Sequence, residues 1–185
     1  MSFLGRWLSQ SINLATALFF ALVAMQAPGF TRDYVGALLQ VAAETRRDID
    51  FREASARQFY AINATEDAAI IDALRKVEPS NAATLERSVA RAHHLRQAYD
   101  DINEAPVLLQ PIAAVRDAWD DAQGDKTAIR NLTLGSYKAQ IDLTLPAAVY
   151  GIGGLVLGSL ISQLVLLPFR FTLRRQRLSP VMRRY

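Results

Sequence analysis

The sequence predicts an all-α membrane protein in which two transmembrane helices flank an extramembrane antiparallel helical bundle. Two uncharged stretches of membrane-spanning length, Trp7 to Ala27 and Ala147 to Phe169, predict the transmembrane helices. Between them apolar residues recur at helical spacing, and no strand-like run is bounded by turn residues. The predicted organisation is a cytoplasmic start with the first transmembrane helix (1–27), a helical domain (28–145), a second transmembrane helix (146–169) and an Arg-rich tail (170–185).

The charge distribution predicts the topology. Of the 21 Lys and Arg residues, seven flank the two spans, which leaves 14 basic residues against 18 acidic residues in the region between them. Positive charge flanking a span stays on the cytoplasmic side, so both termini should be cytoplasmic and the domain should lie outside. The domain carries net negative charge, which argues against a nucleic-acid partner. The chain has no cysteine, and this excludes disulfides and thiolate metal sites.

Six of the flanking basic residues lie in the tail. They fix the predicted topology, and the same charges could also hold anionic lipid or dock a cytoplasmic partner. The predicted lipid or partner contacts are therefore Arg170, Arg174, Arg175, Arg177, Arg183 and Arg184.

Small residues four apart in both spans predict a close contact between transmembrane helices, within one chain or between two. An amide side chain lies at similar depth in each span, and an unpaired amide in hydrocarbon is costly. We therefore expect Asn13 to face Gln163. The complete set of predicted packing residues is Asn13, Ala17 and Ala21 in the first span and Gly154, Gly158, Ser162 and Gln163 in the second.

The domain is predicted to contain five helices. Pro28-Gly29 should break the chain as it leaves the membrane, and Thr31 should cap a long helix that continues to Ile62. Pro79-Ser80-Asn81 is interpreted as a turn. The remaining helices are predicted from Thr65 to Val77, from Asn81 to just before Pro106, from Val107 to Gln123 and from Asp125 to Tyr137.

The long helix has a predicted buried seam and further apolar residues beside it. The seam follows alternating three and four spacing. The residues off the seam would pack against other helices of the bundle or form a second contact surface for a partner. The seam consists of Val35, Leu38, Ala42, Thr45, Ile49, Ala56 and Phe59, and the residues beside it are Tyr34, Leu39, Val41, Phe51 and Tyr60.

The helix after Pro106 has one apolar face at helical spacing. Leu108, Ile112, Val115, Trp119 and Ala122 share this face, and we expect it to be buried.

No residue pattern indicates catalysis, a cofactor or a metal. His93-His94 are adjacent, so their side chains point about 100° apart on a helix and do not converge on one ion. The pairs Asp100-Asp101 and Asp120-Asp121 lie among polar residues near helix ends, which is typical of a solvated face. The glycines of the second span do not follow a strand, so they form no phosphate loop. We expect a protein that is not an enzyme and that uses no cofactor.

The chain also resembles a known family in several positions. Gln26-Ala27-Pro28-Gly29-Phe30 follows the first span, Tyr34 and Leu38 open a long helix, and Asp48 and Phe51 come later in it. Together with the Arg-rich end after the closing span, these features resemble an uncharacterised bacterial family of two-span inner-membrane proteins, known only as a domain of unknown function. The resemblance implies a bacterial inner-membrane location and no activity.

Two function classes are consistent with this architecture. The first is a non-catalytic accessory or scaffold protein that binds membrane lipids and other membrane proteins or a second copy of itself. The second is a sensor-like ligand-binding bundle outside the membrane. About 16 residues follow the second span, too few for a signalling domain, so a sensor would need a partner for its output.

Overall fold

The computed structural model describes residues 3–121, 124–138 and 144–175, with side chains for residues 7–121, 124–138 and 144–165. All regular structure in these ranges is α-helical, which confirms the predicted helical class. The described ranges contain α1 (Phe3–Met25), α2 (Ala27–Tyr60), α3 (Asp67–Val77), α4 (Pro79–Glu104), α5 (Gln110–Trp119), α6 (Asp125–Ser136) and α7 (Leu145–Arg175).

The chain divides into two compact units. We call Met1–Gly29 together with Ala139–Tyr185 the hairpin unit, because it contains α1 packed against α7. We call Phe30–Lys138 the helical domain, and it contains α3 to α6 and almost all of α2.

Two helical segments are long and apolar enough to cross a membrane. The helical run Trp7–Tyr60, near the N-terminus, contains an 18-residue window with mean hydropathy 1.6, and Leu145–Val165 contains one with mean hydropathy 1.7. At about 1.5 Å per residue, either segment can traverse a hydrocarbon core roughly 30 Å thick.

The break between α1 and α2 lies at Gln26, one turn residue, and not at Pro28-Gly29 as the sequence suggested. Pro28 lies in the first turn of α2, where a missing backbone N–H removes no helical hydrogen bond. Thr31 therefore lies inside α2 and is buried, so the predicted cap is wrong. Pro79 behaves in the same way: it opens α4, and the predicted turn at Pro79-Ser80-Asn81 is absent.

One hydrophobic cluster joins the first half of α2 to the last half of α4 and to the two short helices that follow. Its large side chains are fully buried, and alanines bring the helices close. The cluster consists of Tyr34, Leu38 and Ala42 of α2, Leu95, Ala98 and Ile102 of α4, Ala114 and Ala118 of α5, and Ile129 of α6.

A second cluster joins the last half of α2 to α3 and to the first half of α4. Since the start of α2 packs on the end of α4 and the end of α2 packs on its start, the two long helices run antiparallel. This second cluster consists of Ile49 and Ala56 of α2, Ile70, Ile71 and Leu74 of α3, and Ala82 and Leu85 of α4.

The buried seam of α2 agrees with the prediction in its middle and departs from it at both ends. Leu38, Ala42, Ile49 and Ala56 are buried, but Tyr34 replaces Val35 as the fully buried residue. At the other end Phe59 is 77% exposed. A heptad-like stripe drifts about 20° per seven residues on a straight helix, so a pattern fixed at the centre leaves the core toward the ends.

The predicted face of α5 is wrong. Helix α5 begins at Gln110, with Pro111 in its first turn, and it buries Pro111, Ala114 and Ala118. These small residues allow close packing, and Asp117 on the same side bonds to neighbouring helices. Ala122 lies outside the described residues. The residues expected inside are exposed: Leu108, Ile112, Val115 and Trp119.

Candidate functional site

Helices α1 and α7 meet through their backbones. A Cβ atom at Gly154 would lie 2.5 Å from the carbonyl oxygen of Phe20 and 2.9 Å from the Cα of Ala21. A Cβ atom at Gly158 would lie 2.8 Å from the Cα of Ala17. Distances this short to backbone atoms leave no room for a side chain. The hairpin unit thus brings together the small residues that the sequence singled out on both helices.

The register of this contact brings two polar residues to the same level of the two helices. Position 154 lies against position 21 and position 158 against position 17, so the antiparallel register places Ser162 opposite Asn13. Ser162 is buried, while Gln163 is exposed, so this register does not favour the expected contact between Asn13 and Gln163, which stays a prediction. The Asn13 Oδ1 and Ser162 Oγ atoms are both buried without a hydrogen-bond partner. Matched depth alone does not define the helix face on which a side chain lies.

The arginines of the tail are only partly covered by the description. The backbone of α7 continues through Pro168 to Arg175, so Arg170, Arg174 and Arg175 extend the helix. Nothing about their side chains is described, and Arg177, Arg183 and Arg184 lie outside the described residues. Their role in lipid or partner binding stays a prediction.

A buried polar cluster joins three helices of the domain. The Tyr34 hydroxyl donates to Asp117 Oδ2 at 2.9 Å, and the Lys126 ammonium pairs with Asp117 Oδ1. Tyr34 is fully buried and Lys126 is 5% exposed. Burial first, and then the hydrogen bond to Asp117, raise the pKa of Tyr34 far above its ordinary value. A tyrosine held neutral in this way is a poor general base, and the cluster has the properties of a structural bridge.

The start of α6 is fixed next to this cluster. Gly124 adopts φ +80°, a left-handed conformation that favours glycine, and precedes the first residue of α6. The Asp121 carboxylate accepts the backbone N–H groups of Lys126 at 3.1 Å and Thr127 at 2.6 Å. A hydrogen bond with the Thr127 side chain is the largest cause that lowers the pKa of Asp121, and these two backbone N–H groups lower it further. One member of the acidic pair Asp120-Asp121 thus caps a helix.

A second polar network joins the middle of α2 to α3. Arg46 donates to Asp67 at 3.1 Å and forms an ion pair with Asp50 at 2.9 Å, and Arg57 pairs with Glu53 at 3.3 Å. Burial, followed by repulsion from Asp67, raises the pKa of Glu53. The hydrogen bond from Arg46 lowers the pKa of Asp67. A Glu53 carboxyl that keeps its proton can donate it in a hydrogen bond to the Asp67 carboxylate.

A groove of about 320 Å³ lies between α2 and α4, where the two hydrophobic clusters meet. Its floor is apolar, and its polar residues are cationic or histidine. The residues that line it are Leu39, Ala42, Ala43, Arg46, Val89, Ala92, His93 and Arg96.

The histidine and acidic pairs do not form a metal site within the described residues. His93 lines the groove and is exposed, whereas the Nδ1 atom of His94 is buried without a hydrogen-bond partner. Asp100 pairs with Arg96 at 3.4 Å. The two histidines therefore lie in different environments, as expected for neighbours on a helix.

An exposed apolar surface runs along the loop before α5 and the outer side of α5. We call it the α5 face. Large apolar side chains in this short segment are all exposed, with Trp119 at 61%, and the Arg130 guanidinium lies 5.3 Å from the Trp119 ring centroid. Monomeric soluble proteins rarely leave such a patch uncovered unless it binds something. The α5 face consists of Val107, Leu108, Leu109, Ile112, Val115 and Trp119.

Only indirect signals in the sequence pointed to the sites inside the domain. Asp117 lies 83 residues from Tyr34, and no local pattern links two residues at that separation. The groove had a weak signal, because the predicted buried seam of the long helix contains a small residue, Ala42, at this level. The apolar character of the α5 face was predicted correctly. This face was expected to be buried, however, and it is exposed.

Comparison with known proteins identifies a family but no activity. No curated protein sequence and no solved structure gives a significant match to the chain. A family model described as a protein of unknown function, DUF2937, matches residues 8–175. The match covers most of the 185 residues. The chain belongs to the DUF2937 family of proteins of unknown function.

Proposed function

We propose that this chain is a two-span protein of the bacterial inner membrane, with both termini cytoplasmic and the helical domain outside. Two candidate membrane helices support this proposal, and only 11% and 22% of their apolar windows are buried within the protein. The central helix of a soluble protein would be mostly buried. The flanking arginines support the orientation.

Within that architecture, the protein acts as a non-catalytic accessory or scaffold that holds another membrane protein, or a second copy of itself, at the membrane. The α5 face carries this proposal. It exposes six large apolar side chains on the domain, while the same helix turns alanines inward. An arrangement with large residues outside and small residues inside favours a surface that is covered by a partner.

The polar clusters of the domain support a structural role for these residues and not a catalytic one. Asp117 is used by Tyr34 and Lys126, and the Asp121 carboxylate is used by the start of α6. Groups that are already engaged in this way hold helices together and are poorly placed to move protons to and from a substrate.

A single substitution tests the scaffold proposal. Ile112→Asp places a charge at the centre of the α5 face, and Val77→Asp makes the matching change at an exposed β-branched residue of α3. Both variants should fold, since both residues are exposed. The full chain is cross-linked in cells, purified in mild detergent, and assayed for self-association and for bound proteins. We expect Ile112→Asp to lose the cross-linked species and Val77→Asp to keep them.

Two results would contradict the scaffold proposal. One is that Ile112→Asp recovers the same partners as the unchanged protein. The other is that the unchanged protein is monomeric and alone under mild conditions.

The groove between α2 and α4 favours a second candidate, a ligand-binding domain that relies on a partner for its output. Its volume of about 320 Å³ lies at the lower end of the range of small-molecule sites, roughly 300–1,000 Å³. In that case, loss of the α5 face would leave ligand binding unchanged.

A further inference from the structure

Helix α7 contacts α1 along one side and leaves the opposite side open. Gly154 and Gly158 lie against the backbone of α1. At about 100° per residue, Val156 lies roughly 160° around the helix from both glycines, and its side chain is exposed. The side of α7 opposite the α1 contact is therefore uncovered in the single chain.

The open side of α7 carries a heptad-like row of residues, which we call the α7 face. Its members alternate in spacing between four and three residues, the pattern by which two helices pack side by side. Its large apolar side chains are all exposed. The α7 face consists of Leu145, Val149, Ile152, Val156, Ser159 and Gln163.

Polar side chains distinguish the α7 face from the rest of an apolar helix. Between Leu145 and Val165, serine and glutamine occur at three positions. Ser162 is buried on the α1 side, whereas Ser159 and Gln163 lie one turn apart on the α7 face. The Gln163 carboxamide is exposed and forms no hydrogen bond within the described part of the chain.

The depth of Gln163 makes an unpaired carboxamide unfavourable in the proposed architecture. Gln163 precedes Arg170, the first charged residue after the span, by seven residues, or about 10 Å of helix. A carboxamide at that depth is costly in hydrocarbon unless it has a hydrogen-bond partner. Pairing of such side chains between helices favours helix association in bilayers. We therefore expect Gln163 to pair with a group outside the single chain.

A second copy of the chain supplies the matching group at the same depth. Copies inserted in the same orientation are related by an axis along the membrane normal, so each residue meets its counterpart at equal depth. A carboxamide both donates and accepts, so two Gln163 side chains can satisfy each other. No charged residue lies between Leu145 and Phe169, so two α7 faces meet without repulsion between like charges.

From these observations we propose that the α7 face binds the α7 face of a second copy of this chain in parallel, with the two Gln163 carboxamides hydrogen-bonded to each other inside the bilayer. A single polar residue in an apolar helix contact fixes the register of that contact. The proposal rests on the membrane spans of the proposed function and goes beyond the α5 face.

The first test places single cysteines in the full chain, which has none of its own, and oxidises membranes of the cells that express it. Val156→Cys lies on the α7 face. Leu157→Cys is its matched control, because the two neighbouring side chains are 57% and 56% exposed. A disulfide between copies doubles the mass, which separates it from a link within one chain. We expect about tenfold more linked dimer from Val156→Cys than from Leu157→Cys.

The second test measures the dissociation constant of the dimer by analytical ultracentrifugation of the full chain in mild detergent. Gln163→Leu keeps the approximate size of the side chain and removes the carboxamide, so it should raise the dissociation constant about tenfold. Gln163→Asn keeps a carboxamide and should stay within about threefold of the unchanged protein.

Equal disulfide yields at positions 156 and 157 would overturn the proposal, and so would equal dissociation constants for Gln163→Leu and the unchanged protein. A linked species with any mass other than twice that of the chain would identify a different partner and would also overturn it.

Failure of this proposal is distinguishable from failure of the proposed function. The Val156→Cys disulfide should form equally when Ile112→Asp is added, because the α7 face and the α5 face belong to different units. Complexes that Ile112→Asp loses and Gln163→Leu keeps belong to the α5 face. Recovery of the chain as a soluble protein would refute the membrane spans, and this proposal with them.

Discussion

The hairpin unit and the helical domain hold their helices together in opposite ways. In the hairpin unit, Gly154 and Gly158 let one backbone touch the other, and the contact depends on missing side chains. In the domain, side chains such as Tyr34, Leu38 and Ile102 fill the space between helices. Without a hydrophobic drive between helices in lipid, close backbone packing takes over the role that side-chain burial has in water.

This difference determines what breaks each part. The hairpin unit should be sensitive to added atoms and the domain to removed ones. The domain also contains a buried charge pair, Lys126 with Asp117, whereas the buried polar atoms Asn13 Oδ1 and Ser162 Oγ of the hairpin unit are neutral and have no hydrogen-bond partner. Removing one partner of a buried charge pair is among the most damaging substitutions in a protein.

The largest effect is expected from Asp117→Ala in the domain. The change strands the buried Lys126 ammonium and leaves the Tyr34 hydroxyl without its acceptor, at a cost of about 3–5 kcal/mol in free energy of unfolding. The exposed neighbour Asp120→Ala should cost about 0.5 kcal/mol or less. Thermal and denaturant unfolding of the two variants measures the difference. Equal stabilities would mean that the cluster does not hold the three helices together.

The next effect is expected from Gly158→Leu in the hairpin unit. Its side chain would meet the backbone of Ala17, and overpacking of this kind costs about 1–3 kcal/mol. Gly153→Leu is the matched control, because nothing lies within 4 Å of a Cβ atom there.

Disulfide formation between introduced cysteines reports on this contact, since the chain has no cysteine of its own. The pair Asn13→Cys and Ser162→Cys should cross-link in the Gly153→Leu background and fail to do so with Gly158→Leu. The pair Asn13→Cys and Gln163→Cys should cross-link poorly in either. Efficient cross-linking through position 163 would refute the register.

The smallest effect concerns the dependence of stability on pH. The pKa of Glu53 is raised above its ordinary 4.5 in the folded domain, so the neutral form favours folding, and this contribution is lost as the pH rises through the folded pKa. The pKa of Asp67 is lowered, so its contribution is lost instead as the pH falls below about 3.8. Glu53→Gln keeps a neutral donor at all pH values.

We therefore expect Glu53→Gln to lose less free energy of unfolding than the unchanged protein as the pH rises above 4.5 and through the folded pKa of Glu53. Glu44→Gln, at an exposed residue of the same helix, should retain the original pH profile. Identical profiles for Glu53→Gln and Glu44→Gln would show that Glu53 does not titrate differently on folding.

Much of the helical layout could be predicted from the sequence, because apolar spacing and prolines mark helices locally. Three helices were expected close to their observed bounds: the long helix, the short helix that ends at Val77 and the helix that ends at Glu104. The role of Pro28 and Pro79 at the start of their helices was not expected. A proline opens a helix as readily as it ends one, and the flanking residues alone did not decide between these outcomes.

The direction of α5 could not be predicted, because hydrophobicity favoured the wrong side. Its buried face is defined by Asp117, whose partners Tyr34 and Lys126 come from other helices. The register between α1 and α7 could not be predicted for a related reason, since it depends on which glycines touch alanines. In both places tertiary contacts outweigh the periodicity of a single helix.

The proposal that the helical domain is held outside a membrane by two spans is tested most directly by reporter fusions. A phosphatase that is active only outside the cytoplasm is fused after Asp125, within the domain, and separately after Tyr185, at the end of the tail. We predict an active fusion at Asp125 and a silent one at Tyr185, because the arginines keep both termini in the cytoplasm. An active fusion at Tyr185 with a silent one at Asp125, or silence at both, would contradict the proposed architecture.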